Sequence, residues 1–380
     1  MWDVAVIGAG LSGLICAREL SKAGQRVCIL DKSRGLGGRI ATRRAHQVRI
    51  DHGLRYWQSS AVLAPLIDEL LSEHILKPWA VTAYEILQRE VITQVSPDEQ
   101  APIYVSPEGM SAVGKYLAKD FSRDQNLLLE HRAIAIDPLT KESADGWRIE
   151  CEGGQIITAK KCAIAIPAAQ AAHLLKTYAA DSRSDPAAVI SQAIQSLKAV
   201  DYWPSLTVMA GYDEQYSHEM GELDPNGWMV TDKAGTSTEW IGLDNSKRNG
   251  FQKGQSQADQ SQADQSQADQ SQQTKGPVIV IHAQGNFAQR YIDATDLQPA
   301  ASVLLRASAR KFSAWMAQPD WFQIHRWRYA FVNMGYGETA LEIEPSLVCG
   351  GDWCVGSAPP TRNLEAAYLS GLAMAKKLEK

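Results

Sequence analysis

The stretch Val4-Ala5-Val6-Ile7-Gly8-Ala9-Gly10-Leu11-Ser12-Gly13 decides the fold of the N-terminal part of the chain. Its first four residues form an apolar run typical of a buried strand, and apolar residues recur at helical spacing after the last glycine. The G-x-G-x-x-G between them allows a tight turn, a close approach of the backbone to a pyrophosphate, and close packing of helix on strand. The N–H groups at the start of the helix then attract the anion. We expect the pyrophosphate of a dinucleotide to lie on Gly8, Ala9, Gly10, Leu11, Ser12 and Gly13.

The second predicted strand ends at Asp31, which places a carboxylate where dinucleotide-binding domains hold the adenosine ribose. A glycine-rich, cationic turn follows and contains Lys32, Gly38 and Arg39. Glycine lets the backbone approach closely, and a guanidinium can fork onto phosphate oxygens. The first motif alone fits NAD as well as FAD. The cationic glycine-rich turn after Asp31 is not required in a simple NAD-binding domain, and its presence therefore favours FAD.

The composition and charge of the chain limit what it does. Its 380 residues suggest two domains, and 45% hydrophobic with 21% charged residues is ordinary globular composition. The net charge of −5 provides no overall basic field, so we expect neither a nucleic-acid nor a membrane partner. Six scattered cysteines indicate a reducing compartment, and no apolar run approaches the roughly 18 residues of a membrane span. With an N-terminus that lacks a signal-peptide pattern, this predicts a cytoplasmic protein.

The pattern along the chain predicts two kinds of domain. Short strand-like runs alternate with helical patterns at the N-terminus, which is typical of a parallel, doubly wound α/β sheet. The middle of the chain, about 77–107 and 170–329, is richer in Trp and Tyr and predicts a second domain with its own sheet. Within it, Ser-Gln-Ala-Asp-Gln recurs three times between residues 251 and 276, at a period that fits neither a helix nor a strand. We expect a disordered surface insertion there, between two neighbouring strands.

Beyond these motifs, the sequence resembles a known flavoprotein family. The run Lys32-Ser33-Arg34-Gly35-Leu36-Gly37-Gly38-Arg39-Ile40-Ala41-Thr42-Arg43-Arg44, followed by Asp51-His52-Gly53, is similar to the renalase family, especially its bacterial members, within the flavin-dependent amine oxidase superfamily. Further similar segments occur at 104–110, 327–332, 349–353 and 364–371. The insertion at 251–276 has no counterpart in that family, and Tyr329 stands where some members have His.

The resemblance implies a two-domain α/β flavoprotein of the p-hydroxybenzoate hydroxylase type, with a Rossmann-like FAD domain and a mixed-sheet substrate domain. The implied FAD-binding domain comprises residues 1–76, 108–169 and 335–380, and the substrate domain comprises 77–107 and 170–334. We expect non-covalent FAD, because neither Cys349 nor Cys354 stands in a tethering pattern. A C-terminal helix would stabilise negative charge on the reduced flavin through its N-terminus. The remaining implied FAD contacts are Lys32, His52, Ala133, Gly351, Asp352, Asn363 and Leu364.

The implied activity is the oxidation of dihydronicotinamides, the NAD(P)H isomers reduced at the wrong ring position, by hydride transfer to flavin N5 with reduction of O2 to H2O2. Such chemistry depends on positioning more than on an acid–base side chain. We take Trp327, Arg328 and His282 as candidates for a pocket with aromatic walls and a cation for phosphate; Trp327 and His282 equally fit buried structural roles. Three alternatives stay open: an amine or polyamine oxidase, a carotenoid- or porphyrin-type member, and a non-catalytic flavin-bound scaffold. The sequence also leaves the oligomeric state open.

Overall fold

The computed structural model describes residues 1–87, 92–96, 98, 100–139, 145–181, 186–217, 219, 226–234, 237–248, 276–355 and 363–379. Two large β-sheets organise these residues, and helices cover them. The helices are α1 (Leu11–Lys22), α2 (Ala64–Ser72), α3 (Ser111–Leu117), α4 (Ala168–Asp181), α5 (Pro186–Ala199), α6 (Gly285–Gln289), α7 (Gln298–Lys311) and α8 (Asn363–Glu379). Of the helices in these ranges, none combines the length and the apolar character that crossing a membrane requires.

The first sheet contains the parallel, doubly wound arrangement that the N-terminal motif predicts. Its strands are β1 (Trp2–Ile7), β2 (Val27–Asp31), β10 (Leu127–Leu129), β11 (Ala133–Pro138), β12 (Trp147–Cys151), β13 (Ile156–Ile164), β19 (Leu341–Glu344) and β20 (Leu347–Cys349). Strands β10, β2, β1, β13 and β20 pair in parallel in that order, and the other three pair antiparallel. Residues 4–6 are fully buried because helices cover both faces of the sheet, which explains the unbroken apolar run.

Two helix layers cover the first sheet. On one face α1 and α8 cross so closely that a Cβ on Gly371 would lie 2.7 Å from the carbonyl oxygen of Ser12. On the other face, apolar side chains of α4 and α5 share a core with β1, β13 and β20. Helices α4 and α5 therefore pack on the first sheet, although the sequence pattern placed residues from 170 onward in the substrate domain. The difference arises because an alanine-rich helical run carries no signal for the sheet that it covers.

The second sheet has seven strands in the order β18-β14-β17-β16-β15-β7-β8. Their bounds are β7 (Thr82–Ile86), β8 (Ile92–Gln94), β14 (Asp201–Gly211), β15 (Trp228–Asp232), β16 (Thr238–Leu243), β17 (Val278–Ala283) and β18 (Trp321–Met334). Val208 packs in a core with α7, whereas Met209, Trp240 and Val280 belong to the core that contains α1. One face of this sheet is therefore turned toward the first domain. Strands β16 and β17 pair antiparallel, so the Gln-rich insertion joins neighbouring strands as predicted; its residues 251–275 lie outside the described residues.

A small hairpin, formed by β3 (Thr42–Ala45) and β4 (Val48–Asp51), connects the two domains. Its turn residues His46 and Gln47 both have positive φ, 48° and 62°, as in the two-residue turns whose twist suits a hairpin. The ring of His46 stacks on Trp321 of β18 at a centroid distance of 4.3 Å. A second small sheet consists of β5 (Trp57–Gln58), β9 (Ile103–Val105) and β6 (Lys77–Pro78).

Candidate active site

The glycine motif forms an open cradle at the start of α1. Gly8 has a φ of 110°, and a Cβ on Gly13 would overlap the carbonyl oxygen of Gly8. A Cβ on Gly10 would meet nothing within 4 Å, and no side chain caps the helix there. The first N–H groups of a helix have no acceptor within the helix. Of the predicted residues 8–13, the last four therefore present unblocked backbone donors to a ligand, as pyrophosphate binding requires, whereas the Gly8 N–H donates to the carbonyl oxygen of Leu30.

The second glycine turn packs directly on this cradle. The Gly37 N–H donates to the carbonyl oxygen of Ala9 over 2.8 Å, and a Cβ on Gly38 would lie 3.3 Å from the Cα of Gly10. The Asp31 carboxylate joins the same structure, because it accepts a hydrogen bond from the Ala9 N–H over 2.7 Å. Close backbone approach thus explains why both turns contain glycine.

The predicted adenosine contacts lie at the end of β2. The His131 N–H donates to the carbonyl oxygen of Asp31 over 2.9 Å, so the chain that leads to Ala133 runs beside the predicted ribose carboxylate. The Lys32 ammonium instead donates to the side-chain oxygen of Gln170 on α4, over 3.3 Å. Lys32 is therefore directed to a helix of the outer layer, while the contact with Asp31 is made two residues before Ala133.

Arg39 and Asp352 form a bidentate ion pair, with both N–O distances at 2.6 Å. Arg39 also donates to the carbonyl oxygens of Tyr329 and Ala330 on β18, over 3.0 and 3.3 Å. The Asp352 side chain is only 2% exposed. The sequence predicted separate phosphate and ribitol roles for these two residues; the structure brings them together, and their pair joins the glycine turn, the second sheet and the C-terminal part of the chain.

These residues fit the FAD that the family resemblance implies. The cradle is open at Gly10. Gly38 packs against Gly10, and the next residue, Arg39, forms the ion pair with Asp352, so the pair lies beside the cradle. The Gly351 N–H donates to Ser370 on α8 over 2.8 Å, which holds the predicted ribitol segment against the helix that begins at Asn363. Cys354 is buried, and burial raises the pKa of its thiol to about 12, so the group is an unreactive thiol at neutral pH.

A row of aligned side chains crosses six strands of the second sheet on the face turned toward the first domain. Strand register places its members side by side in the order Glu85, Thr231, Trp240, His282, Thr207 and His325. We call this set the sheet row. Within the described residues, both ring nitrogens of His282, the hydroxyl of Thr207 and the indole nitrogen of Trp240 are buried without a hydrogen-bond partner. Buried polar atoms are almost always paired, so these unpaired ones mark a surface built for a polar ligand or water.

The imidazole rings of His52 and His325 lie against Trp327, and we call these three residues the imidazole cluster. The Trp327 indole N–H donates to the carbonyl oxygen of His52 over 2.9 Å. Ring centroids are 5.3 Å apart for His52 and Trp327, 4.9 Å for the two histidines, and 4.4 Å for His325 and Trp327. Burial, and then the charges of His325 and Arg43, lower the pKa of His52 to about 4. Burial also holds the pKa of His282 well below its usual range, so both rings are neutral at neutral pH.

Arg328 does not join this cluster. Its guanidinium donates to the carbonyl oxygen of Ile292 over 3.1 Å and to the carboxylate of Asp293 over 2.8 Å, and half of its side chain is exposed. Successive residues of a strand point to opposite faces, so Trp327 and Arg328 cannot both face the first domain. The sequence prediction took the Trp-Arg pair as one unit, although this alternation was already a signal against it.

The sequence prediction missed a buried charge cluster between the domains. It consists of Asp51, Asp244, Lys247 and Arg248. The Lys247 ammonium is fully buried, 2.9 Å from Asp244 and about 5.5 Å from the ring centre of Trp79. Burial alone would raise the pKa of Asp51, but Arg248 and Lys247 hold it below its usual range. A Lys-Arg pair just after a strand has the pattern of an exposed turn, which concealed the cluster.

A cavity of about 160 Å³ lies at the other end of the sheet row. Glu85 and Thr231 line it together with Tyr56 and Met229. The Glu85 carboxylate is paired with the ammonium of Lys233 at 2.7 Å. The cavity and the imidazole cluster therefore lie along one face of the same sheet.

Comparison with known proteins identifies the family. The model described as "Flavin containing amine oxidoreductase" matches residues 79–378, and the model "NAD(P)-binding Rossmann-like domain" matches residues 6–70. A (S)-6-hydroxynicotine oxidase of Paenarthrobacter nicotinovorans is 41% identical over 59 residues, which cover 15% of this chain and 14% of the relative. The flavin-containing monooxygenase FMO GS-OX-like 5 of Arabidopsis thaliana is 29% identical over 150 residues, which cover 39% of this chain and 31% of the relative. The chain thus spans less than a third of the length of these curated relatives.

Solved structures share the fold along the whole chain. A putrescine oxidase redesigned in its cofactor binding superposes with a TM-score of 0.68 at 13% identity, covering 100% of this chain and 99% of that one. The cyclohexylamine oxidase from Brevibacterium oxydans gives 0.67 at 14% identity, with complete coverage of both chains. At these identities the likeness concerns the fold. From the family match, the chain belongs to the flavin-containing amine oxidoreductases and is an FAD-dependent oxidoreductase.

Proposed function

We propose that the protein is a renalase-like oxidase that oxidises dihydronicotinamide isomers and passes the electrons to O2, yielding H2O2. FAD, held non-covalently in a p-hydroxybenzoate hydroxylase type arrangement, supplies the hydride acceptor at its N5 when bound. The proposal includes the boundaries 1–76, 108–169 and 335–380 for the FAD domain, to which the α4–α5 layer described above is added. The substrate is a small molecule that enters the space between the sheet row and the first domain.

The observation that carries the proposal is the imidazole of His282, which is neutral and has no hydrogen-bond partner among the described residues. A neutral imidazole offers one N–H donor and one acceptor that point in different directions, so it can hold either the carbonyl oxygen or the NH2 group of a primary carboxamide. His52 and Trp327, fixed to each other by the indole–carbonyl hydrogen bond, offer flat apolar surfaces suited to a dihydropyridine ring. These residues bind and orient the substrate, and their packing excludes water.

The electrostatic surroundings favour this substrate over an amine. The charged groups that lower the pKa of His282 are the cations Arg55 and Lys247, and Arg43 acts in the same direction on His325. Arg55 and Lys247 are each paired with a carboxylate, that of Glu239 and of Asp244. Arg43 has no ion-pair partner in the described ranges, so its charge repels a protonated amine and attracts an anionic phosphate.

An amine oxidase remains the second candidate, because the cavity at Glu85 and Tyr56 combines a carboxylate with an aromatic ring. Such a pair suits an ammonium group. The carboxylate is, however, already engaged by Lys233.

The test is an anaerobic titration of the FAD-loaded protein, with flavin bleaching as the readout. We expect 2- and 6-dihydronicotinamide isomers to bleach the flavin and putrescine to leave it oxidised. His282→Leu should slow bleaching by the isomers, while Arg328→Gln, on the other face of β18, should leave it unchanged. Bleaching by putrescine alone would refute the proposal in favour of the amine oxidase.

A further inference from the structure

The hairpin of β3 and β4 runs beside strand β18, and its two ends contact that strand. At the tip, His46 stacks on Trp321. At the base, His52 meets His325 with ring centroids 4.9 Å apart. Trp321 and His325 are four residues apart in one strand and share a face, which separates the two contacts by about 13 Å. The hairpin thus forms one wall of the imidazole cluster.

Arg43 lies on this wall and is a cation without a countercharge in the described part of the chain. The hairpin register pairs it with Ile50, on the face that continues to His52. Its side chain is exposed, and within the described ranges it has neither a hydrogen-bond nor an ion-pair partner. Its charge reaches both His52 and His325, since it contributes to lowering the pKa of each. On β18, between Trp321 and His325 and on the same face, the side-chain oxygen of Gln323 is buried and unpaired in the described structure.

The neighbouring Arg44 lies on the opposite face of the hairpin. It is also exposed, but the register pairs it with Arg49 on the opposite face of the hairpin, where Arg49 forms an ion pair with Glu108 at 3.2 Å. One strand therefore carries two successive guanidinium groups, of which Arg43 faces the cluster and Arg44 faces away from it.

We propose that Arg43 binds a phosphate of the substrate and so makes the enzyme select phosphorylated dihydronicotinamides over the unphosphorylated nucleoside. The inference rests on the proposed function. In a nicotinamide nucleotide one ribose separates the ring from the phosphate, so the anion site has to lie beside the ring site and at its solvent edge. Arg43 has this position relative to His52, and it replaces Arg328 as the cation for phosphate because Arg328 is engaged by Asp293.

The test compares the binding of nicotinamide mononucleotide and nicotinamide riboside, which differ by one phosphate. Calorimetry at fixed ionic strength uses the FAD-loaded wild type, Arg43→Gln and the matched control Arg44→Gln. We expect Arg43→Gln to weaken mononucleotide binding about 10- to 100-fold, the contribution of a charge-assisted hydrogen bond, and riboside binding less than about twofold. Arg44→Gln should change each by less than about twofold. Equal losses for both ligands, no loss for either, or a wild type that does not prefer the mononucleotide would overturn the inference.

A parallel bleaching experiment separates this inference from the proposed function. Reduced isomers of the mononucleotide and the riboside are mixed anaerobically with the same three proteins. If neither reduces the wild-type flavin, the proposed function fails, whereas the calorimetric ratio still decides whether Arg43 holds a phosphate. If both reduce it, Arg43→Gln should raise the half-saturating concentration for the mononucleotide and leave the limiting bleaching rate unchanged.

Discussion

The interdomain charge cluster can be tested by the single substitution Asp51→Asn. One carboxylate oxygen of Asp51 accepts hydrogen bonds from the Thr42 hydroxyl over 2.7 Å and from the Met110 N–H over 2.9 Å. The other lies 3.2 Å from Arg248 and 3.7 Å from Lys247. Asparagine keeps the first oxygen and turns an NH2 group toward the two cations.

The magnitude follows from the charges that remain. Wild type has two cations and two carboxylates in the cluster, whereas the variant leaves Lys247 and Arg248 facing Asp244 alone. Removing one partner from a buried ion pair costs about 3–5 kcal/mol. For a domain of 150–250 residues each kcal/mol lowers the melting temperature by about 2–4 °C, so we expect a decrease of roughly 6–20 °C.

The assay is thermal unfolding followed by tryptophan fluorescence on the FAD-loaded protein. Asp3→Asn is the matched control, because Asp3 makes the same kind of ion pairs with the exposed side chains of Arg26 and Lys160. It should cost less than about 1 kcal/mol.

A second variant distinguishes lost charge balance from local damage. In Asp51→Asn combined with Lys247→Met, Arg248 and Asp244 again balance, so the double variant should be more stable than Asp51→Asn alone. A single variant that melts within about 2 °C of wild type, or a double variant with no recovery, would refute the electrostatic reasoning.

Four further substitutions test other parts of the site. In Gly10→Ala the new Cβ meets open space, so the melting temperature of the apoprotein should stay nearly unchanged, but FAD binding, measured by flavin fluorescence, should weaken about tenfold or more. Gly13→Ala should instead lower the folded yield, because its Cβ overlaps the backbone of Gly8. Asp352→Asn should lower FAD affinity and the melting temperature together, since it leaves Arg39 without its bidentate partner; retention of both would contradict the assigned pair. The pKa of His52 is lowered from 6.5 to about 4 in the folded protein, so as the pH falls through this range the unfolded chain is protonated first and the folded protein loses stability. His52→Asn should therefore reduce the change of the melting temperature between pH 7 and pH 4.

The cofactor cradle was predictable from sequence because local backbone geometry requires its residues. A side chain at Gly13 has no room, and a strand, a glycine turn and a helix follow one another along the chain. The carboxylate at the end of β2 follows from the same local pattern. Strand alternation, equally local, would also have separated Trp327 from Arg328.

The sheet row and the charge cluster could not be predicted in this way. Thr207 and His282 become neighbours only through the pairing of strands that are 75 residues apart, and their register depends on the whole sheet. Asp51 and Lys247 likewise meet only when the two domains pack. Neighbouring residues along the chain carry no signal for such contacts, so both clusters were found in the structure alone.

The ion pair between Arg39 and Asp352 also bears on the order in which the protein is made. The nucleotide unit is synthesised first, yet its glycine turn is held by residue 352 and its first helix packs against Gly371. During translation the N-terminal nucleotide unit therefore remains incomplete, without strand β20 and helix α8, until more than three hundred further residues have been synthesised. Its apolar surface needs protection throughout that interval, so a ribosome stalled within the substrate domain would display an incomplete nucleotide fold that chaperones can recognise.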